Sequence, residues 1–112
     1  GLGVMGRDYP VTCFSLTGYS GGGKKMIAEY EGADRNVLLD APRQYALGQT
    51  HKHIPEIVKL CGLENAPVFC PIVAPYYCGM EVVVPIFKKD MIKDYEALFL
   101  ATESSFLLTN KK

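Results

Sequence analysis

A run of glycine divides the first part of the chain and limits what can stand on either side of it. Residues 18–23 read Gly-Tyr-Ser-Gly-Gly-Gly. Glycine loses more backbone freedom on ordering than any other residue, so a regular strand or helix breaks at such a stretch. The segment before it, residues 11–17, is rich in β-branched and aromatic side chains and predicts a strand opened by Pro10. Alternation puts Thr12, Phe14 and Leu16 on one face and Val11, Cys13, Ser15 and Thr17 on the other, one face being distinctly more apolar. The segment after it, residues 24–30, sets Met26, Ile27 and Tyr30 at helical spacing and stops at Gly32.

The same reading extends along the chain. Residues 1–8 read as a helix end or a ragged terminus, and residues 32–47 as loop with a short extended piece near 45–47. Pro55 predicts the first turn of a helix over 55–61, with Glu56 at its positive end and Gly62 as its stop. Residues 68–73 and 80–87 predict two strands. Pro75 and Gly79 bracket their connection and suggest an antiparallel pair. Pro71 and Pro85 inside these runs suggest edges or bulges. Asp90 caps a predicted helix over 91–101, with Met91, Tyr95 and Leu98 on its apolar stripe, and a last strand is predicted near 106–109.

This order implies an α+β domain, with helices packed on one face of a mainly antiparallel or mixed sheet. Val82, Val83 and Val84 are apolar towards both faces, so the second face calls for a partner subunit or domain.

Composition narrows the function. The 112 residues suit a single domain, 1–112. Lys plus Arg equal Asp plus Glu at 12 each, whereas a nucleic-acid partner calls for a basic excess or stripe; none is expected. No stretch nears the roughly 18 apolar residues of a membrane span, and the first residues lack a signal peptide's basic leader. Cys13, Cys61, Cys70 and Cys78 form no CxxC pair, and three lie in or beside apolar runs. Buried free thiols in a reducing, cytoplasmic setting are expected, although the even number leaves disulfides open.

Two motifs can carry chemistry. Residues 18–24 fit GxxxxGK between a strand and a helix, but Lys25 stands where a phosphate-binding loop needs Ser or Thr for magnesium. What remains is a close-approach turn before a helix start, with Lys24 and Lys25 adding charge for an anion; a plain flexible turn is the alternative. In the second motif, His51 and His53 share a side if the segment is extended. No third ligand is spaced to join them in a metal site, so no metal is expected. A general acid/base fits imidazole chemistry, and surface or capping histidines are the alternative.

Three stretches together resemble the N-acetyl-γ-glutamyl-phosphate reductase family in its shorter bacterial type. They are Thr17-Gly-Tyr-Ser-Gly-Gly-Gly-Lys-Lys-Met-Ile-Ala28, then His51-Lys-His-Ile-Pro-Glu-Ile57, then Gly79-Met80 followed by Val82-Val-Val-Pro-Ile86. The likeness runs from residue 8 to about residue 87. It implies NADPH-dependent reduction of a small-molecule acyl phosphate in arginine biosynthesis. A cysteine attacks, phosphate leaves, hydride reduces the thioester to a semialdehyde, and a histidine serves as acid/base. It implies a fold like the catalytic and dimerisation domain of aspartate-semialdehyde and glyceraldehyde-phosphate dehydrogenases, and a homo-oligomer.

Carried onto this chain, the resemblance puts Ser20, Gly21 and Gly22 near the nicotinamide end of NADP. It makes His51 the favoured acid/base with His53 second, and gives Lys24 or Lys25 the substrate's phosphate or carboxylate. The family's Asn-x-Gly-Cys nucleophile motif does not occur in these residues, and Cys13 sits within a predicted strand. The nucleotide-binding domain is also lacking. The expectation is therefore a fragment of the catalytic domain, inactive alone. The alternatives are a fragment of another semialdehyde dehydrogenase, or a non-catalytic dimerisation or anion-binding module.

Overall fold

The computed structural model describes residues 3–92. Strand β1, Thr12–Gly18, runs straight into a 3-10 turn, Tyr19–Gly22, and then into helix α1, Gly23–Glu31. A second 3-10 turn, Val37–Asp40, is capped by Asn36, whose side-chain oxygen accepts from the Leu38 N–H at 2.9 Å. Strand β2 is only Arg43–Gln44, just ahead of the extended piece expected at 45–47. Helix α2, His53–Cys61, starts ahead of Pro55 and closes on Gly62. Strands β3, Val68–Ala74, and β4, Met80–Val83, precede a 3-10 turn, Lys88–Asp90. The helix expected over 91–101, beyond its first two residues, and the strand near 106–109 lie outside the described residues.

The sheet is mixed, in the order β2-β3-β1-β4. Strand β1 runs parallel to β3, with Cys13 opposite Phe69, and antiparallel to β4, with Phe14 opposite Val83. The antiparallel pair expected between 68–73 and 80–87 does not form, because β1 lies between those strands. Residues 75–79 cross the end of β1 instead of making a hairpin. The N–H groups of Gly18, Tyr19 and Ser20 each donate at 2.9 Å to the carbonyls of Gly79, Tyr76 and Tyr77 respectively. A side chain at Gly18 would obstruct this crossing, since its Cβ would stand 2.7 Å from both the Tyr77 oxygen and the Cys78 Cα.

The strand expected to reach residue 87 ends at Val83, two residues short of Pro85, which has no N–H to continue a ladder. Pro71, by contrast, lies buried within β3. Its carbonyl accepts from the Tyr45 N–H at 3.1 Å, so its missing N–H points to the β2 side and the ladder to β1 loses no bond.

Both helices cover one face, which fits the expected architecture. Ile54 and Ile57 of α2 pack on Cys13 and Phe69. Tyr30 of α1 packs with Leu39 on Val73, joined by Tyr19, Met26 and Tyr45. Tyr30 is 2% exposed; the roughly 1.5–3 kcal/mol from burying a side chain of this size is offset by its buried hydroxyl, which has no hydrogen-bond partner among the described residues and costs about 1–3 kcal/mol. Arg43 ties β2 to α1, meeting both Glu29 carboxylate oxygens at 3.2 Å and lying over the Tyr30 ring. Among the described residues, no helix covers the opposite face. Phe14, Val68 and Val83 there are 39%, 51% and 45% exposed. The apolar Phe14 side of β1 is therefore the uncovered one.

Candidate functional site

The glycine turn is positioned by its neighbours. The loop over β1 holds Tyr19 and Ser20 by their N–H groups, and the Gly23 N–H donates back to the Ser20 carbonyl. Gly23 opens α1 at φ 76, a left-handed conformation that side chains rarely adopt, and a Cβ there would meet nothing within 4 Å. Open space thus lies beside Gly23, whereas a Cβ at Gly22 would stand 2.5 Å from Met26 Sδ. Helix α1 has no acidic residue in its first turn and no side-chain cap. Lys24 and Lys25 stand there exposed. Two cations at a helix's positive end repel its dipole, an arrangement relieved when an anion binds.

The histidine motif is built differently from the extended pair imagined from spacing. Lys52 adopts a right-handed helical conformation and α2 begins at His53, yet the two rings still lie 4.8 Å apart. His51 Nδ1 accepts from the His53 N–H at 3.1 Å, and the His51 carbonyl accepts from the Ile54 N–H at 3.0 Å. His51 therefore caps the helix. Its ring, half-buried, lies tilted against Phe69 at 5.1 Å, with Tyr45 at 6.0 Å. Burial, then His53, then Lys52 hold its basicity below the ordinary value, against a smaller opposing pull from Glu56. His53 is more exposed, and its Nδ1 lies 2.7 Å from Glu56 Oε2.

Sequence reasoning overlooked Gln49. Its amide makes a reciprocal pair with Phe69, donating to the carbonyl and accepting from the N–H, both at 2.8 Å. One side chain thus does the work of a strand beside the part of β3 that β2 does not reach. It anchors a loop holding two left-handed non-glycine residues, Ala46 at φ 53 and Gln49 at φ 55. Such backbone outliers persist only where surrounding contacts impose them. A glutamine six residues before a predicted helix carries no local signal of this role.

The two motifs do not meet. The glycine turn follows the C-terminal end of β1, while His51 rests on Phe69 near the start of the parallel strand β3. Five strand residues separate the two levels, about 16 Å at roughly 3.3 Å per residue. Among the described residues, Tyr45 bridges them, touching His51 on one side and the Tyr30–Val73 cluster on the other. Only an elongated ligand could contact both motifs at once.

The cysteines depart in part from expectation. All four are free, but only Cys13 is buried; Cys70 is half-buried, and Cys61 and Cys78 are exposed. Burial pushes the Cys13 thiol up, with Cys70 and Cys61 adding to the effect. A nucleophile needs the reverse shift. Among the described residues, no group of 3 or more His, Cys, Asp or Glu is placed to hold a metal ion, and no helix is long and apolar enough to cross a membrane.

Comparison with known proteins adds a family. The family described as "Semialdehyde dehydrogenase, dimerisation domain" matches residues 2–104. N-acetyl-gamma-glutamyl-phosphate reductase of Rhizobium etli is 43% identical over 90 residues, which is 80% of this chain and 29% of that protein. The enzyme of the same name from Rhizobium rhizogenes is 45% identical over 85 residues, 75% of this chain and 27% of its own length. The one from Rhizobium meliloti is 42% identical over 90 residues, again 80% and 29%. The chain thus spans under a third of the length of these curated relatives. No solved structure matches it.

Proposed function

The chain belongs to the semialdehyde dehydrogenase family's dimerisation domain, and from that premise we propose that it serves as part of an N-acetyl-γ-glutamyl-phosphate reductase. The observation that carries this reading is identity of 43% over 80% of the chain to a reductase of that name. The substrate is then an acyl phosphate, the product a semialdehyde, the setting the cytoplasm and the state a homo-oligomer.

Within that reading the family resemblance assigns the roles, with the turn and the histidines on separate parts of the ligands. The family resemblance gives Ser20, Gly21 and Gly22 the approach to the nicotinamide end of NADP, and the open space at Gly23 leaves room beside them. The cofactor, when bound, supplies the hydride. Lys24 and Lys25, at the positive end of α1, suit the substrate's phosphate or carboxylate. The histidine pair provides proton transfer, and the aromatic wall of Phe69 and Tyr45 limits water on one side of it. The nucleophile is taken as a cysteine outside these residues, because the family's Asn-x-Gly-Cys motif does not occur in them; Cys13 itself is buried with its thiol pushed up.

The test is an assay in the reverse direction. A complete enzyme carrying this chain should reduce NADP when given N-acetylglutamate semialdehyde and phosphate, and the 112-residue chain alone should not. Turnover by the isolated chain that Cys13→Ser abolishes would reverse the assignment of the nucleophile. Absence of turnover in the complete enzyme would end the reductase reading.

A further inference from the structure

The three glycines that close the turn are not equivalent, and the difference picks out Thr17. Gly22 lies over Met26, where a Cβ would stand 2.5 Å from Sδ and 2.7 Å from the Met26 Cβ. Gly23 has φ 76, which side chains rarely adopt. Neither reason applies to Gly21. It sits in the 3-10 turn, its φ is not left-handed, and beyond its chain neighbours a Cβ there would meet one heavy atom within 4 Å. That atom is the Thr17 hydroxyl oxygen, 3.5 Å away, an ordinary contact distance. Glycine gives up backbone freedom on ordering, and nothing inside the described fold asks for it at position 21. What it leaves is a gap with a polar atom at its floor.

The Thr17 hydroxyl is not free to play any part. It donates to the Gly18 carbonyl at 3.4 Å, its one hydrogen bond among the described residues. A hydroxyl has one proton and two lone pairs, so with the proton engaged the oxygen is left to accept. Backbone donors beside it are already used. The N–H groups of Tyr19 and Ser20 bond the crossing loop, and that of Gly23 bonds the Ser20 carbonyl. Thr17 is half-buried near the end of β1, so the strand sets its side chain. A ligand group that matches this oxygen brings an N–H.

We infer that Thr17 Oγ1 reads the carboxamide of the nicotinamide ring, accepting from its NH2 group through the gap at Gly21. The inference rests on the reductase reading, in which this turn meets the nicotinamide end of NADP, and it adds a residue outside the turn itself. Thr17 is then a specificity-determining residue. The NH2 group separates a nicotinamide ring from a 3-acetylpyridine ring, which carries a methyl group in its place. It also separates it from a nicotinic acid ring, whose carboxylate only accepts, so that lone pairs would face lone pairs.

The test is equilibrium binding of NADP and of its 3-acetylpyridine analogue to the complete enzyme, by titration calorimetry. Thr17→Val keeps the side chain's shape and removes the acceptor. Its Kd for NADP should rise about two- to tenfold, the worth of one neutral hydrogen bond. Its Kd for the analogue should rise by less than about twofold, because the analogue offers no N–H to lose. Intrinsic differences between the two cofactors cancel, since each variant is compared with the parent on the same cofactor. Thr17→Ser keeps the hydroxyl and should keep the parent's preference. Gly21→Ala fills the gap and should weaken NADP binding at least as much, with no earlier melting, because alanine accepts this backbone without strain. Equal weakening of both cofactors in Thr17→Val would mean a purely structural role and would overturn the inference. Unchanged NADP binding in Thr17→Val or in Gly21→Ala would overturn it too. If the parent binds neither cofactor, the reductase reading fails and takes this inference with it. If the parent binds both and the variants show the wrong pattern, the inference alone fails.

Discussion

His51 has a structural task alongside any chemical one, and the two can be separated by substitution. Its ring and carbonyl together satisfy the N–H groups of His53 and Ile54 at the start of α2. Losing a cap of this kind costs about 0.5–2 kcal/mol, so His51→Ala should melt earlier than the parent. His51→Asn keeps an acceptor and should melt close to it. The ring also links stability to pH. Folded His51 resists protonation, whereas an unfolded imidazole takes a proton near its ordinary value of 6.5. The unfolded chain therefore binds more protons below that value, and acid favours it. Stability is full above about pH 6.5. It falls as the pH drops further, until the folded ring itself protonates. Thermal melts between pH 5 and 8 should show this slope in the parent and a flatter one in His51→Asn. Equal slopes would mean that His51 does not carry the linkage.

At the scale of elements, the periodic segments were legible and the connections were not. The strand around Phe14 and the helices around Met26 and Ile57 show their period directly in the residue types. The start of α2 did not. Pro55 is favoured at a first helical position but stands third here, because His51 caps a helix that begins at His53. That shift brings His53 into the helix three residues ahead of Glu56, with its Nδ1 2.7 Å from the Glu56 carboxylate, a contact that a helix starting at Pro55 does not imply.

The placement of β4 was hidden for a related reason. A five-residue connection reads equally well as a hairpin or as a bridge over one intervening strand. The deciding feature is Gly18, over which the backbone of Tyr77 and Cys78 passes. Gly18→Ala sets a methyl against backbone that no side-chain rotation can clear, so it should cost about 1–3 kcal/mol, the range for overpacking. Amide exchange at Tyr19 and Ser20 should speed up, as their bonds to the crossing loop weaken. An unchanged melting temperature and unchanged exchange would show that the loop moves aside freely.

For the whole molecule, the unequal covering of the sheet matters most. Both helices lie on the Cys13–Phe69–Val73 face, leaving Phe14, Leu16, Val68, Ile72 and Val83 of the other face without cover from them. A lone apolar residue on a surface is ordinary, but a contiguous sheet face is not. The need for cover was legible in residues 82–84, which are apolar to both sides. The family's description as a dimerisation domain supports a second copy as the cover. Sheet faces of this kind pack about 10 Å apart, with side chains interdigitating. A standard interface removes about 800 Å² from each partner. A charge at the centre of such a face would be desolvated without a counter-ion, a penalty of several kcal/mol per ion. It would enter twice in a symmetric dimer. Phe14 is the suitable position, because it is central, opposite Val83, and contributes nothing to the helix-covered core. In the complete enzyme, Phe14→Asp should convert the dimer to monomer in sedimentation at micromolar concentration, with the far-ultraviolet circular dichroism of the parent. A variant that still sediments as a dimer would place the interface elsewhere on the molecule.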